Sequence, residues 1–352
     1  MRVKSIVPLN CEASIKDLNS NITSTSSFYV RNHFPSPDIG PSGWRLVVES
    51  QSANLSYTLE ELNGMDQRAL GATLECAGNG RVGFGKKIAG EIEWGNGAVG
   101  TAIWKGVSLR TILEKSGFSR NRLDRITEAI FVGADGSTEN STPIESKMRY
   151  ARSFPIKKAL DQDTIVALRM NGEPIPIDHG YPARLIVPGW YGMASVKWLN
   201  RIILTATRTP FEGYFTSTKY VYQTDRKGMP VREPVTNVRV KALITKPEAG
   251  QLFGVGEPIS VEGKAWSGFG RITKVEVNLG DGWKRASLVK NDELGKYAWT
   301  AWKTDWIPRQ RGKVMSRVRA TDEKNNVQLE QPTMNRYQYG YNAIQHVEIQ
   351  VK

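Results

Sequence analysis

The sequence predicts an α+β domain over residues 1–236, followed by a β-sandwich over residues 237–352. Three observations lead there. The chain has 352 residues, 39% of them hydrophobic, which is more than one ordinary domain needs and enough for two cores. Up to about residue 235, short strand-like and helix-like segments mix with glycine-rich loops. They do not alternate as strand and long helix, so a doubly wound parallel sheet is disfavoured. Beyond Pro230–Asn237, a period of two takes over, the signature of half-buried strands.

The elements follow in order. Residues 1–27 are polar and rich in Ser, Asn and Thr, and read as an extended arm. Trp44–Ser50 reads as a strand, and Leu59–Leu62 as the start of a short helix. Ile103–Gly117 reads as a helix with Ser108 as a candidate cap. Leu109, Ile112 and Leu113 then share a face, and Gly117 stops it. Ala129–Gly133 and Leu185–Val187 are candidate buried strands. In the second part, Ile259–Val261, Val275–Val277–Leu279, Trp299, Val318 and Val347–Ile349–Val351 carry the alternation. Gly280–Asp281–Gly282 is a hairpin turn. About a hundred residues of such segments suggest a sandwich of immunoglobulin-like size.

Composition excludes several classes. No run approaches roughly eighteen apolar residues, so no membrane-spanning helix is expected. The opening MRVKSIVPLN lacks a long apolar stretch and a small-residue cleavage site. The protein is therefore expected in the cytoplasm, or in the periplasm if a leader has been removed. Two cysteines, Cys11 and Cys76, and three histidines leave little for a disulfide framework or a closed zinc site. Cys11 reads as a small buried residue without a catalytic role. The net charge of +13 is spread over the chain. Without a nucleic-acid-binding motif or a basic run, it points to a small anionic substrate or an acidic protein partner.

The segment Thr73–Arg81, TLECAGNGR, carries the most chemistry. An apolar approach ends at Cys76, and small residues follow that permit tight turns and close approach by a large group. Arg81, Lys86 and Lys87 would favour the thiolate, a soft metal ligand. From these residues alone, a plain buried cysteine beside a glycine turn fits equally well.

CAGN followed by arginine resembles the metal-ligand motif of the sulfite oxidase family, which includes the plant-type nitrate reductases. Four further segments match in order. They are FYVRNHFP at Phe28–Pro35, DHGYPAR at Asp178–Arg184 with VPG at Val187–Gly189, SVKWL at Ser195–Leu199, and AWSGFG at Ala265–Gly270. The resemblance covers nearly the whole chain. It implies a molybdopterin-binding domain, then an immunoglobulin-like domain through which two subunits pair. It implies molybdenum held by the dithiolene of a pterin and by Cys76. Arg31, Asn32, His33, Asp135, His179, Arg184, Ser195, Val196 and Lys197 would meet the pterin, Ser195 and Val196 through their backbones. Arg31 and Arg81 would meet an anionic substrate, and Tyr220, with Tyr222 as a competitor, would be the active-site tyrosine. No haem-binding segment is recognised, so electrons would leave to a separate carrier such as a cytochrome.

The sequence departs from the family pattern twice. Gly80 stands where an arginine is common before Arg81. In the segment MNRYQYGYNAIQHV, Tyr337 stands where the family's C-terminal substrate arginine falls, with Arg336 one residue earlier. The implied reaction is oxidation of sulfite to sulfate by oxygen-atom transfer. Two alternatives remain: reduction of nitrate or of an S- or N-oxide with the same cofactor, and a metal-free β-sandwich binding protein.

Overall fold

The computed structural model describes residues 1–40, 42–50, 53–118, 120–136, 148–206, 213–226, 229–289 and 292–352. The first part is built on two five-stranded sheets. One runs Ala53–Thr58, Arg45–Ser50, Leu199–Thr205, Glu128–Gly136, Arg149–Pro155, with one parallel pair, Leu199–Thr205 on Arg45–Ser50. The other runs Glu173–Pro174, Ile165–Met170, Val99–Ser108, Gln67–Glu75, with Arg184–Ile186 added on Ile165–Met170. All of its pairs are antiparallel. Short helices and 3-10 turns fill the connections, as an α+β reading expects.

The expected helix over Ile103–Gly117 forms only in its second half. Residues through Ser108 complete the strand Val99–Ser108, and the helix is Leu109–Lys115. The strand wins because Ile103 and its neighbours pair on both sides, with Gln67–Glu75 and with Ile165–Met170. Ser108 stands at the cap position without a side-chain capping bond, while Leu109, Ile112 and Leu113 are buried together as expected. The helix Leu59–Asn63 is closed by a capping box between Thr58 and Glu61. The strands at Trp44–Ser50, Ala129–Gly133 and Leu185–Val187 appear as Arg45–Ser50, Glu128–Gly136 and Arg184–Ile186.

The second part is a two-sheet sandwich. One sheet runs Lys241–Lys246, Ile259–Trp266, Thr300–Trp306, Ser287–Val289. The facing one runs Leu252–Phe253, Gln345–Val351, Gly312–Asp322, Ile272–Asn278, Trp283–Arg285. Inward residues of both, among them Ile244, Val261, Trp302, Val275, Val318 and Val347, form one core. The Gly280–Gly282 turn joins Asn278 to Trp283 as paired strand ends. Trp299 departs from the expected pattern. It joins the first part's core and donates its indole N–H to Asn21 O at 2.8 Å.

That bond shows that the N-terminal segment is not a loose arm. Arg2–Ser5 and Asn10–Glu12 form a hairpin, and Leu18 and Thr23 are buried. Thr245 donates to Asn19 Oδ1 at 2.8 Å and Lys264 to Asn21 Oδ1 at 3.1 Å, so the segment bonds to the sandwich. Val238, Leu243, Trp266 and Tyr339 continue the first part's core into the second. Among the described residues, no helix is long and apolar enough to cross a membrane.

The tightest point of this junction is Gly268. A Cβ there would lie 1.9 Å from Gly189 O and 2.5 Å from Val238 N, both backbone atoms. Gly268→Ala should therefore destabilise the protein by about 2–3 kcal/mol through overpacking against backbone. The urea unfolding midpoint should fall accordingly, and an unchanged midpoint would show that the junction yields freely.

Candidate active site

The strand Gln67–Glu75 enters the interior and delivers Cys76 at its end. The chain then turns sharply. Cys76 N–H donates to Ala98 O, Asn79 N–H to Cys76 O and Arg81 N–H to Gly78 O. Gly80 takes φ +84°, and a Cβ there would lie 2.6 Å from the ring of Tyr341. This explains the missing arginine at that position: the turn needs a left-handed residue and Tyr341 occupies the side-chain space.

Glu75, a residue that sequence reasoning passed over, braces the turn from behind. Its buried carboxylate accepts from Asn79 Nδ2 at 2.8 Å, Trp266 Nε1 at 2.8 Å and Lys241 Nζ at 3.3 Å. The last two come from the sandwich. Lys241 is itself fully buried, and burial lowers its pKa against the pull of Glu75. The backbone N–H of Gly340 adds a bond to Ala77 O at 2.8 Å.

Cys76 opens onto a cleft of about 590 Å³. Arg31, Asn32, His33, Asp135, His179, Arg184, Ser195, Lys197 and Tyr220 line it, together with Tyr29, Tyr150 and Asp178. Residues from six separate sequence segments thus converge on one space. Val196 and Arg81 do not line it. Both backbone groups of Val196 are used internally, N–H to Ala194 O and C=O from Leu185 N–H. Arg81 lies behind the turn, paired with Glu91 at 3.2 Å. Lys86 and Lys87 are exposed. The net effect at Cys76 is therefore a raised thiol pKa: burial outweighs Arg31 and Arg81. Tyr222 stays outside, its ring carrying the guanidinium of Arg239. Tyr337 and Arg336 stay outside as well. Arg336 is exposed and donates to Gln223 Oε1 at 3.4 Å. The residue of that segment that approaches the cleft is Tyr339, stacked on Tyr220 at 5.3 Å between ring centroids.

The cleft has two chemically distinct ends. Near Cys76, Arg31 Nη2 lies 3.0 Å from His33 Nδ1, and His33 Nε2 lies 2.7 Å from the Tyr220 hydroxyl. His33 packs among the rings of Tyr150, Phe215 and Tyr220. Burial and the nearby cations Arg31, Lys219 and Lys197 hold its pKa well below the ordinary value, so the ring is neutral. Arg31 Nη2 also lies 3.1 Å from His33 Nε2, so the guanidinium meets both ring nitrogens and either tautomer is compatible with the contact. Burial pushes the Tyr220 pKa up to about 12, Arg31 opposing, so the proton stays on oxygen. Burial works against the charge of Arg31 too, but Tyr220, Cys76, Tyr339 and Glu91 more than offset it, and its pKa is raised.

The other end concentrates buried cations. Arg184 donates to Ser195 O at 3.2 Å and His179 O at 3.1 Å. Lys197 donates to Asp178 O at 2.8 Å and contacts Asn32 Oδ1. Burial lowers the pKa of Arg184 to about 10 and that of Lys197 well below its ordinary value. Asp135 is also buried, its Oδ1 has no hydrogen-bond partner, and burial raises its pKa. A buried carboxylate oxygen without a partner, beside buried cations held by neutral acceptors, is costly on its own. It suits a large ligand carrying both N–H groups and a phosphate, because Asp accepts from the former and Arg and Lys bind the latter. A pterin with a phosphate tail has this donor and acceptor set, so the residues present fit the group.

Fold and site together define a molybdopterin-dependent oxidoreductase. Residues 33–215 match the sequence model of the oxidoreductase molybdopterin binding domain, and residues 232–352 that of the Mo-co oxidoreductase dimerisation domain. The chain belongs to the sulfite oxidase family. It is 30% identical to mouse mitochondrial sulfite oxidase, over all of this chain and 66% of that protein. It is 32% identical to chicken sulfite oxidase, over 93% of this chain and 72% of that one. It is 31% identical to a nitrate reductase [NADH] of Phaseolus vulgaris, over 93% of this chain and 40% of that one. The chain thus spans just under two thirds of the mouse enzyme. Among solved structures it resembles the sulfane dehydrogenase SoxCD of Paracoccus pantotrophus, with a TM-score of 0.79 and 27% identity. That match covers 98% of this chain and 85% of the other.

His179 yields a pH prediction. Its Nε2 lies 3.2 Å from Thr25 O, and burial first, then Arg184 and Lys197, lower its pKa from 6.5 to about 3. Between these values the unfolded chain binds a proton that the folded one does not, so stability falls as pH drops from 6.5 toward 3. In the cofactor-free protein, His179→Gln keeps a neutral donor and should shrink the stability loss between pH 7 and pH 5 by roughly 1–2 kcal/mol. Urea titrations of both proteins at the two pH values measure this. Equal losses would place the proton on folded His179.

Proposed function

We propose that this protein oxidises sulfite, or a closely related sulfur oxyanion, to the next oxidation level and passes the electrons to an external one-electron carrier. The balance is sulfite plus water giving sulfate, two protons and two electrons. The observation that carries this reading is Cys76 opening onto a cleft between an Arg31–His33–Tyr220 group and a buried Arg184–Lys197–His179 group. Cys76 would hold molybdenum, and Asn32, His33, Asp135, His179, Arg184, Ser195 and Lys197 would hold the pterin. When bound, the cofactor supplies two-electron redox chemistry and oxygen-atom transfer.

The chain's own residues do the rest. Arg31 offers a permanent positive charge to an anion beside Cys76, in a site where burial magnifies its pull. Tyr220 presents a hydroxyl that burial keeps protonated and that His33 Nε2 positions from 2.7 Å away. Arg184 and Lys197 would neutralise the pterin phosphate, and Asp135 would accept from a ring N–H. The packed rings of Tyr150, Phe215 and Tyr339 exclude water from the sides of the Cys76 end. The sandwich domain would pair two copies, and the basic surface would favour an acidic carrier, cytochrome or similar.

A second reading, reduction of nitrate or of an S- or N-oxide, is favoured by one observation. Neither Tyr337 nor Arg336 supplies a cation to the cleft, so its anion end is less positive than an arginine there would make it.

Three assays separate the readings. With sulfite and ferricyanide the holoenzyme should turn over, and with nitrate or a sulfoxide and reduced viologen it should not; the reverse pattern rejects sulfite oxidation. Cys76→Ser should lower sulfite turnover by at least about a thousandfold with the circular dichroism spectrum unchanged. Arg31→Gln should raise KM for sulfite by roughly ten- to a hundredfold, as loss of a charged hydrogen-bond donor implies. An unchanged KM removes Arg31 from the substrate site.

A further inference from the structure

One charged cluster beside the cleft takes no part in the scheme above. Glu91 is 7% exposed and lies between two cations. Its Oε2 is 3.2 Å from Arg81 Nη2, and its Oε1 contacts Lys219 Nζ. Arg81 uses both terminal nitrogens here, while its buried Nε has no hydrogen-bond partner. Its Nη1 donates to Ile92 O at 2.7 Å and its Nη2 to Tyr337 O at 3.3 Å, and its guanidinium lies 5.4 Å from the Tyr339 ring centroid. Lys219 Nζ lies 5.4 Å from the Tyr337 ring centroid. The cluster sits directly against the Cys76 turn: a Cβ on Gly78 would lie 2.7 Å from Arg81 Nη2.

The geometry has an electrostatic consequence. Arg81 and Lys219 would together add two positive charges beside Cys76, and Glu91 cancels one of them. A buried carboxylate in contact with both cations also holds their donors away from any third anion. The field of Glu91 reaches the cleft, because it acts on both Arg31 and Tyr220. Arg31 then lines the cleft near Cys76, with one net positive charge of the Arg81–Glu91–Lys219 cluster remaining behind the turn.

We propose that Glu91 is a specificity-determining residue: by cancelling one of the two positive charges of Arg81 and Lys219 against the Cys76 turn, it shifts the preference of the anion end away from a dianion and toward a singly charged sulfur oxyanion. This deepens the sulfite-oxidation reading and rests on it. Near neutrality sulfite is present as both monoanion and dianion, and the shift favours the former. Glu91 acts through Arg81 and Lys219 on the field at the anion, without touching it.

The test reads charge selectivity directly, by binding. Sulfate and nitrate serve as unreactive dianion and monoanion probes for oxidised holoenzyme without reductant, titrated calorimetrically at one pH and ionic strength. The quantity is the ratio of the two dissociation constants. Glu91→Gln should shift that ratio toward sulfate by about tenfold, the effect of one added charge at close range in a partly buried site. Lys219→Met should shift it toward nitrate by a similar factor. The double variant, which restores the charge count, should return the ratio to that of the wild type. A ratio that stays put in both single variants, at wild-type molybdenum content, overturns the proposal. So does a shift of both in the same direction, which marks a merely structural role. If sulfite is not oxidised but the ratios move as stated, the charge filter stands and the substrate assignment falls. If sulfite is oxidised and the ratios do not move, the reverse holds.

Discussion

The site depends on one buried carboxylate. Glu75 closes the strand Gln67–Glu75 one residue before the thiol, and three donors converge on it: Asn79 from the turn itself, and Trp266 and Lys241 from the sandwich. Removing one partner would weaken the pairing of a buried charge, a cost of several kcal/mol in a buried region. The Cys76 turn is therefore held by the second domain as well as by the first. The sandwich contributes to the active site by fixing where Cys76 points, whatever it does between subunits. The bond from Gly340 N–H to Ala77 O and the packing of Tyr341 over Gly80 act in the same sense.

Within that frame, burial sorts the titratable groups by role. The two histidines of the cleft are kept neutral by burial and by neighbouring cations, so they hold fixed hydrogen-bond directions at neutral pH. The tyrosines keep their protons because burial raises their pKa values against the opposing pull of the neighbouring arginines. Charge is left to Arg31 at one end and to Arg184 with Lys197 at the other, where Asp135 also lines the cleft. Glu91 then trims the positive charge at the Cys76 end. A cleft so arranged is pre-organised for a two-ended anionic ligand and one small anion, and reorganises little when they arrive.

Much of this was legible in the sequence, for identifiable reasons. Cys76 and the segments around Arg31, His179, Arg184 and Lys197 stand in short contiguous motifs, and the structure gathers nearly all of them around one cleft. The period-two pattern of the second part maps onto its strands because each faces one core. The helix expected from Ile103 was half wrong because pairing on both edges outweighed local periodicity. Arg81 looked like a substrate residue because its partner, Glu91, is ten residues away and joins it only through the fold. Glu75 was invisible for a related reason. Its partners Lys241 and Trp266 lie more than a hundred and fifty residues later, and a glutamate at a strand end carries no local sign of being buried. Residues 1–27 read as a polar extended arm, yet the side chains of Asn19 and Asn21 accept from Thr245 and Lys264 and so tie the two parts together.

The account stands on a sulfur bond from Cys76 to molybdenum. X-ray absorption at the molybdenum edge, on protein made in a host that synthesises the cofactor, tests it most directly. A dithiolene and a cysteine together should give three sulfur scatterers in the wild type, and Cys76→Ser should lose one while retaining the metal. An identical sulfur count in the two proteins, or no molybdenum in the wild type, would contradict it.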